Sequence, residues 1–455
     1  MEPNHTPSGL PPWQRLLSEQ ERENLNSSDP SLRLNATRFF RQLLSNENSL
    51  IPVIDHIIQL GITPKFIEFL QKNDDPQLQF EAAWVLTCMA SGNSHHTQMI
   101  IQLGAVPLFI QLLSSPHHDV KEQAIWALGN IAGDGAQARD VVLNGGVMDP
   151  LLGFISSNPA DSMLRNAVWT LANLCRGKPK PDFKMVSPAI VVLAYLLYSA
   201  DEEVLVDALW ALSYLSEGSS VDQMEQVVQA GVRRMIELLH HSRSVITPAL
   251  RIIGNIVSGN TCQTQVVINY NALPSLCALI SHSASSIRRE ACWTISNITA
   301  GTVQQIQAVI DANIIPKLIK NIEISNSHKG IRNESIWAIL NVINGGNADQ
   351  IMYILSHGTH CVEVFCDILF QDTKKAMKHD ALRALLNIVR ACRSVQDAPR
   401  CFEDVIEKKG LWHEVMYNKF RGTTGYEKRF LDNLRTLNTV HDVITFSFKN
   451  EMEDD

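Results

Sequence analysis

The chain alternates short apolar runs, such as "VPLFIQLLSS" at 106–115 and "LPSLCALISH" at 273–282, with recurring helix breaks. The breaks read "QLGITP", "QLGAVP", "NGGVMDP", "QAGVRR", "YNALP" and "DANIIP". Most pair Gly or Asn with a following Pro, which stops one helix and starts the next. Between the breaks lies a longer segment with a mixed face. In "EQAIWALGNIAGDG" at 122–135, Trp126, Asn130 and Asp134 follow at steps of four. On an α-helix that spacing puts Trp126 and Asn130 on one face, with Asp134 just beyond, where Gly133 and Gly135 can end the helix. A core stripe would be aliphatic throughout, because a buried amide or carboxylate without a partner costs about 1–3 kcal/mol. The face is either an incidental exposed indole or a surface kept for a ligand, and the rest of the chain decides between them.

The mixed face recurs. Tryptophans stand at 84, 126, 169, 210, 293 and 337, separated by 42, 43, 41, 83 and 44 residues. Midway through the gap of 83, Arg251 in "RIIGN" holds the marker position. Four residues after each marker come Cys88, Asn130, Asn173, Tyr214, Asn255, Asn297 and Asn341. Eight after come Gly92, Gly177, Gly218, Gly259, Gly301 and Gly345, placed for a left-handed C-cap, with Asp134 taking that place in the second unit. Each unit thus holds a short helix, a second helix and the long marked third. A period of ~40–47 residues fits armadillo and HEAT arrays, and the extra break favours armadillo.

The predicted fold is an all-α armadillo-repeat solenoid of about nine to ten three-helix repeats over residues 13–440, each burying its apolar faces only against its neighbours. "ATRFFRQLLS" at 36–45 belongs to an N-terminal unit and "ALRALLNIVRACRS" at 381–394, with Arg383 and Asn387, to a late one. After residue 400 the pattern decays, Trp412 follows a break at Gly410, and "YEKRFLDNLRTLNTV" is expected to cap the stack. Residues 1–12 and the acidic 441–455 are expected to be disordered tails.

Stacking the marked helices would turn their faces into a ladder, which suits an extended guest. Indoles one repeat apart make slots for long aliphatic stems, and their π-faces attract a cation with about 0.5–2 kcal/mol each. Asparagine amides carry donor and acceptor together, matching a peptide backbone. Three residues before each marker stand Glu81, Gln123, Asn166, Asp207, Pro248, Glu290 and Glu334, on the marker's face and with no basic residue among them. With Asp134, Glu203 and Glu217 they predict an electronegative groove that attracts lysine and arginine and repels nucleic acid. Arg251 divides the series in two, so that two basic clusters joined by a spacer could be held at once.

Composition agrees: 455 residues, 45% hydrophobic and 19% charged with a net charge of −8, describe a globular or repeat chain with ample core. The strongly apolar "AIVVLAYLLYSA" at 189–200 is far short of the ~20 residues of a bilayer span and reads as a buried helix. "MEPNHTPSGLPP" lacks the basic and apolar regions of a secretory signal. The nine cysteines are scattered without a CxxC pair and read as reduced thiols. His357, His360, Cys361 and Cys366 match no closed zinc spacing, so no metal and no cofactor are expected.

With these residues in place, "FEAAWVLTCMASG", "EQAIWALGNIAGDG", "DALWALSYLSEG", "TPALRIIGNIVSG" and "REACWTISNITAG" resemble, in order, the armadillo units of the importin-α family, the adaptors that recognise nuclear localisation signals. The resemblance runs from about residue 36 to 390. It implies a right-handed superhelix, residence in cytoplasm and nucleus, and two peptide sites. The major site would use Trp84, Gly92, Thr97, Trp126, Asn130, Asp134, Trp169 and Asn173, with Gln123, Asn166, Glu203, Asp207 and Trp210 around it. Asp134 matches the aspartate that pairs with the signal's key lysine. The minor site would use Arg251, Asn255, Thr264, Glu290, Trp293, Asn297, Glu334, Trp337 and Asn341. The family's partners are basic signal peptides of cargo, importin-β and a recycling exportin.

Three departures matter. Cys88 replaces the first asparagine, removing a backbone clamp of about 0.5–1.5 kcal/mol. Thr261 stands where the family often carries an acid. No lysine precedes Lys65, so the family's basic importin-β-binding segment has no counterpart, and the expectation is a groove without an internal competitor. That third departure also admits a transport-deficient relative acting as a sink for signal peptides. A β-catenin-like scaffold with a basic groove is a further alternative, disfavoured by the acidic register. An enzyme is disfavoured because no P-loop, GxSxG or HExxH occurs.

Overall fold

The computed structural model describes residues 19–45, 50–323, 328–358, 360–370 and 375–394, all helices and their connections, with no strand among them. The expected tails, the Trp412 unit and the closing cap lie outside the described residues. The chain divides into two compact units, residues 1–275 and 276–455. No single helix among the described residues is long and apolar enough to cross a membrane.

In the first unit the long helices Pro30–Leu44, Pro76–Ala90, His118–Gly133, Asp161–Cys175, Glu202–Ser216 and Arg243–Val257 pack each against the next. In the second, Ser285–Thr299, Lys329–Gly345 and Lys375–Ser394 do the same. Two shorter helices join successive long ones, for example Ser94–Gln102 and Ala105–Leu112 before His118–Gly133. This is the armadillo arrangement. Its core is built from the aliphatic positions on both sides of the marker: Ala124, Ile125, Ala127, Leu128 and Ile131 are fully buried, while Trp126 among them is 38% exposed.

The left-handed residues fall elsewhere than expected. Gly61, Gly104, Gly146, Gly231, Asn271 and Asn313 have φ of 68°, 79°, 84°, 128°, 60° and 54°, one in each of the six breaks. Of the recurring glycines eight residues after the marker, only Gly177 and Gly218 are left-handed, at 117° and 55°. Gly92, Gly259 and Gly301 are glycine for a different reason. Each of the helices beginning after Asn93, Asn260 and Thr302 opens with a capping box closed by His96, Gln263 or Gln305. A Cβ on Gly92, Gly259 or Gly301 would stand 2.3, 2.2 or 2.1 Å from the capping atom of that side chain. The glycine makes room for the cap.

Capping side chains, including Gln350 of the box that opens after Asn347, also tie repeats together. Gln263 Nε2 donates to the Val221 carbonyl and Gln350 Nε2 to the Val303 carbonyl, both at 3.0 Å. His96 accepts from the Asn93 N–H at Nδ1 (3.2 Å) and places Nε2 2.8 Å from the Asp55 carboxylate. One helix departs from its sequence reading: Ala189–Leu196 buries Ile190, Leu193 and Leu196 but leaves Val191, Tyr195 and neighbouring Tyr198 exposed. A helix packed from one side keeps an outer stripe whatever its composition.

Candidate functional site

The marker and the residue four further on share one face of each long helix, and the structure adds a bond between repeats. Asn130 Nδ2 donates to the Thr87 carbonyl (3.1 Å), Asn173 Nδ2 to Gly129 (3.2 Å), Asn255 Nδ2 to Ser213 (3.2 Å) and Asn341 Nδ2 to Ser296 (2.8 Å). Each acceptor lies three residues after the marker of the preceding repeat, so the asparagine satisfies a carbonyl that its neighbouring helix turns toward it. The amides expected to serve a ligand with donor and acceptor alike are in part structural. One N–H is committed to the stack.

Of the marker indoles in the first unit, Trp126 is the exposed one, while Trp84, Trp169 and Trp210 are half-buried. Asp134 ends its helix beside Ser94, whose hydroxyl donates to the carboxylate at 2.7 Å across the repeat boundary. One turn before the indole, Gln123 has a buried Oε1 without a hydrogen-bond partner. Buried polar atoms are nearly always paired, so an orphan one turn before the indole stands out.

The Trp84 repeat is closed by comparison. Phe80 packs edge-on to the indole with ring centroids 5.4 Å apart, and the Arg41 guanidinium lies over the ring at 4.7 Å. Glu81, expected among the acids facing a ligand, is buried and paired: Arg38 Nε reaches one carboxylate oxygen at 3.0 Å and Arg41 Nε the other. Burial pushes the Cys88 thiol up to about 11, which leaves it protonated at neutral pH.

Further along, Asn166 Nδ2 donates to Glu122 at 3.0 Å. Arg165 pairs with Asp201 (2.7 Å) and with exposed Glu203 (3.3 Å), so the Glu203 charge is shared with a cation that the sequence reading passed over. Asp207 remains without an ion pair among the described residues, and burial, reinforced by Glu203 one turn away, pushes its carboxyl up to about 6. Trp210 stacks on Tyr214 at 5.8 Å.

Two expected contacts prove internal. Thr97 and Thr264 are 1% and 3% exposed. Their hydroxyls donate to the Ala90 and Val257 carbonyls, 3.4 and 3.3 Å away, at the ends of the preceding long helices. They shape the turn on which Gly92 and Asn260 sit. In the second unit Trp293, Asn297, Glu334 and Trp337 are half-buried, and Asn297 Nδ2 is buried without a hydrogen-bond partner. Arg251 is exposed and Asn255 buried, both on the last long helix of the first unit.

Comparison with known proteins places this ladder. The armadillo/β-catenin-like repeat model matches residues 52–90, 93–133, 136–176, 185–217, 263–300 and 302–343. The chain is 52% identical to importin subunit alpha-1b of Oryza sativa subsp. japonica over 76% of its own length and 64% of that protein. It is 40% identical to importin subunit alpha-8 of Arabidopsis thaliana over 82% of each chain. This chain belongs to the importin-α family. The crystal structure of an engineered protein, 26% identical, superposes with a TM-score of 0.77 over 92% of this chain and 99% of the other. The chain spans 64% and 51% of the rice importin subunits alpha-1b and alpha-1a.

Sequence reasoning missed Arg41, Arg165 and Ser94. Arg41 carried a signal: it stands 43 residues before Trp84, at the marker position of its own repeat, as Arg251 does. Ser94 and Arg165 carried none, because their partners are 40 and 36 residues away.

Proposed function

We propose that this chain is a nuclear import adaptor, not an enzyme, that binds lysine- and arginine-rich nuclear localisation signals of cargo along the Trp/Asn ladder and works between cytoplasm and nucleus. The observation that carries the reading is the Trp126 repeat. It combines an exposed indole, the Asp134 carboxylate at the helix end and the orphaned Gln123 Oε1, an arrangement suited to an extended chain with a long cationic side chain. The indole takes the aliphatic stem and draws the charge, the carboxylate pairs with it, and Gln123 accepts an N–H. The amide oxygens of Asn130 and Asn173 accept backbone N–H groups while their Nδ2 atoms hold the stack.

The major site is assigned to Trp84, Gln123, Trp126, Asn130, Asp134, Asn166, Trp169, Asn173, Glu203, Asp207 and Trp210. Gly92, Thr97 and Thr264 support the turns. Within the second unit, Glu290, Trp293, Asn297, Glu334, Trp337 and Asn341 offer a second set of the same kind. The names of the relatives, importin subunits alpha, support the assignment.

Fluorescence polarisation of a labelled lysine-rich peptide tests it. Wild type is expected to bind with an affinity that falls as salt rises, and Asp134→Lys to lose binding while remaining folded. Unchanged affinity in Asp134→Lys removes the major-site assignment.

A further inference from the structure

The Arg41 guanidinium does to Trp84 what a ligand's cation is proposed to do to the later indoles. It lies 4.7 Å from the ring centroid, and its Nε bonds the carboxylate of Glu81 on the same helix face. Glu81 is occupied on its other oxygen by Arg38 at 3.0 Å. Phe80 takes a further side of the indole. Together these residues reproduce a complete cation slot, aromatic face plus acid one turn before it, already filled from within the chain. The filling residue sits at the marker position of the preceding repeat, where Trp would otherwise extend the ladder.

We propose that Arg41 is a resident guest that ends the ladder: it fills the slot between the first two repeats, so a bound cationic strand stops at Trp84 and the length of basic sequence that can be read is fixed there. This rests on the peptide-binding reading above. Physically, replacing Trp with Arg at the marker removes a wall and supplies a charge that a lysine or arginine of the strand would have to displace from both Glu81 and the indole. Specificity for where a signal ends then comes from an occupied site rather than from a missing one.

The test compares a six-lysine and a ten-lysine peptide, both fluorescently labelled, on wild type, Arg41→Ala, Arg41→Met and Arg38→Ala, with circular dichroism confirming the fold of each. Taking each variant relative to wild type on the same peptide cancels the number of registers. Freeing the slot is expected to strengthen binding of the ten-lysine peptide about fivefold in Arg41→Ala, with the six-lysine peptide changed by less than about twofold. Arg41→Met, which keeps an unbranched stem without the charge, is expected to follow Arg41→Ala. Arg38→Ala, which removes the same charge from Glu81 without uncovering Trp84, is expected to treat the two peptides as wild type does. Equal ratios for the two peptides in Arg41→Ala, or an equal gain in Arg38→Ala, overturn the proposal. Failure of wild type to bind either peptide overturns the functional reading itself, and the two failures are therefore distinct.

Discussion

The Trp84 and Trp126 repeats carry the same marker on the same helix face, yet one is filled and the other open. Trp84 is hemmed by Phe80 and Arg41, its acid Glu81 is bonded twice, and Cys88 leaves the asparagine bond to the preceding helix unmade. Trp126 is exposed, its Gln123 carries an orphaned oxygen, and the Asp134 carboxylate has a neutral hydroxyl as its only hydrogen-bond partner among the described residues. A repeat motif therefore states where a site can be, and the neighbouring repeat states whether it is vacant.

The largest expected effect follows from that difference. Trp126→Ala is expected to weaken binding of a lysine-rich peptide by about 2 kcal/mol, roughly thirtyfold, as loss of a central aromatic anchor does. Trp84→Ala is expected to cost less than about fivefold, since one face of that indole already serves Arg41. Isothermal titration of both variants checks the order, and equal losses would break the comparison.

Next in size is a stability effect at the boundary between these repeats. Gly92→Ala drives a methyl within 2.3 Å of His96 Nδ1, so the capping box must open. The expected loss is about 1–2 kcal/mol of unfolding free energy. Urea denaturation measures it. Gly104→Ala supplies the contrast, since Gly104 has open space around its Cβ position but a φ of 79°. Its cost is one of backbone strain alone, about 1 kcal/mol.

The smallest effect is a pH dependence. Asp207 titrates near 6 because burial and Glu203 disfavour its charge. A carboxyl that holds its proton more tightly when folded adds stability below its unfolded pKa, and that contribution is lost as pH rises through about 6. A cationic peptide gains from the same ionisation. Its affinity is expected to rise two- to threefold as pH passes upward through about 6, and Asp207→Asn to flatten that rise. A profile unchanged in Asp207→Asn would remove Asp207 from the groove.

The repeat was legible in sequence because tryptophan and asparagine are distinctive and a period near 42 leaves few architectures. The helix breaks were legible for the same reason, and the left-handed Gly61, Gly104, Gly146, Gly231, Asn271 and Asn313 fall inside them. Pairing was not legible. Glu81 and Asp207 are both acids three residues before a marker, and what separates Glu81 is an arginine pair about 40 residues earlier on another helix. The marker-linked glycines misled in a similar way, because a glycine needed for positive φ and one needed to clear a capping side chain leave the same letter. Nor does an asparagine in sequence reveal that one of its N–H groups is committed to the carbonyl of the previous repeat. The family resemblance alone puts Thr97 and Thr264 among the contacts, and their burial follows from hydroxyls turned to the backbone beneath them.

The central claim is that a cationic strand lies against the indoles of the ladder. Indole Nε1–H resonances of 15N-tryptophan-labelled protein, assigned by single Trp→Phe variants and titrated with a lysine-rich peptide, test it most directly. Large shifts at Trp126 and Trp169, a smaller one at Trp84 and no response to a glutamate-rich peptide are the predicted result. Indoles that stay still while the lysine-rich peptide binds, or that respond equally to the glutamate-rich one, would contradict it.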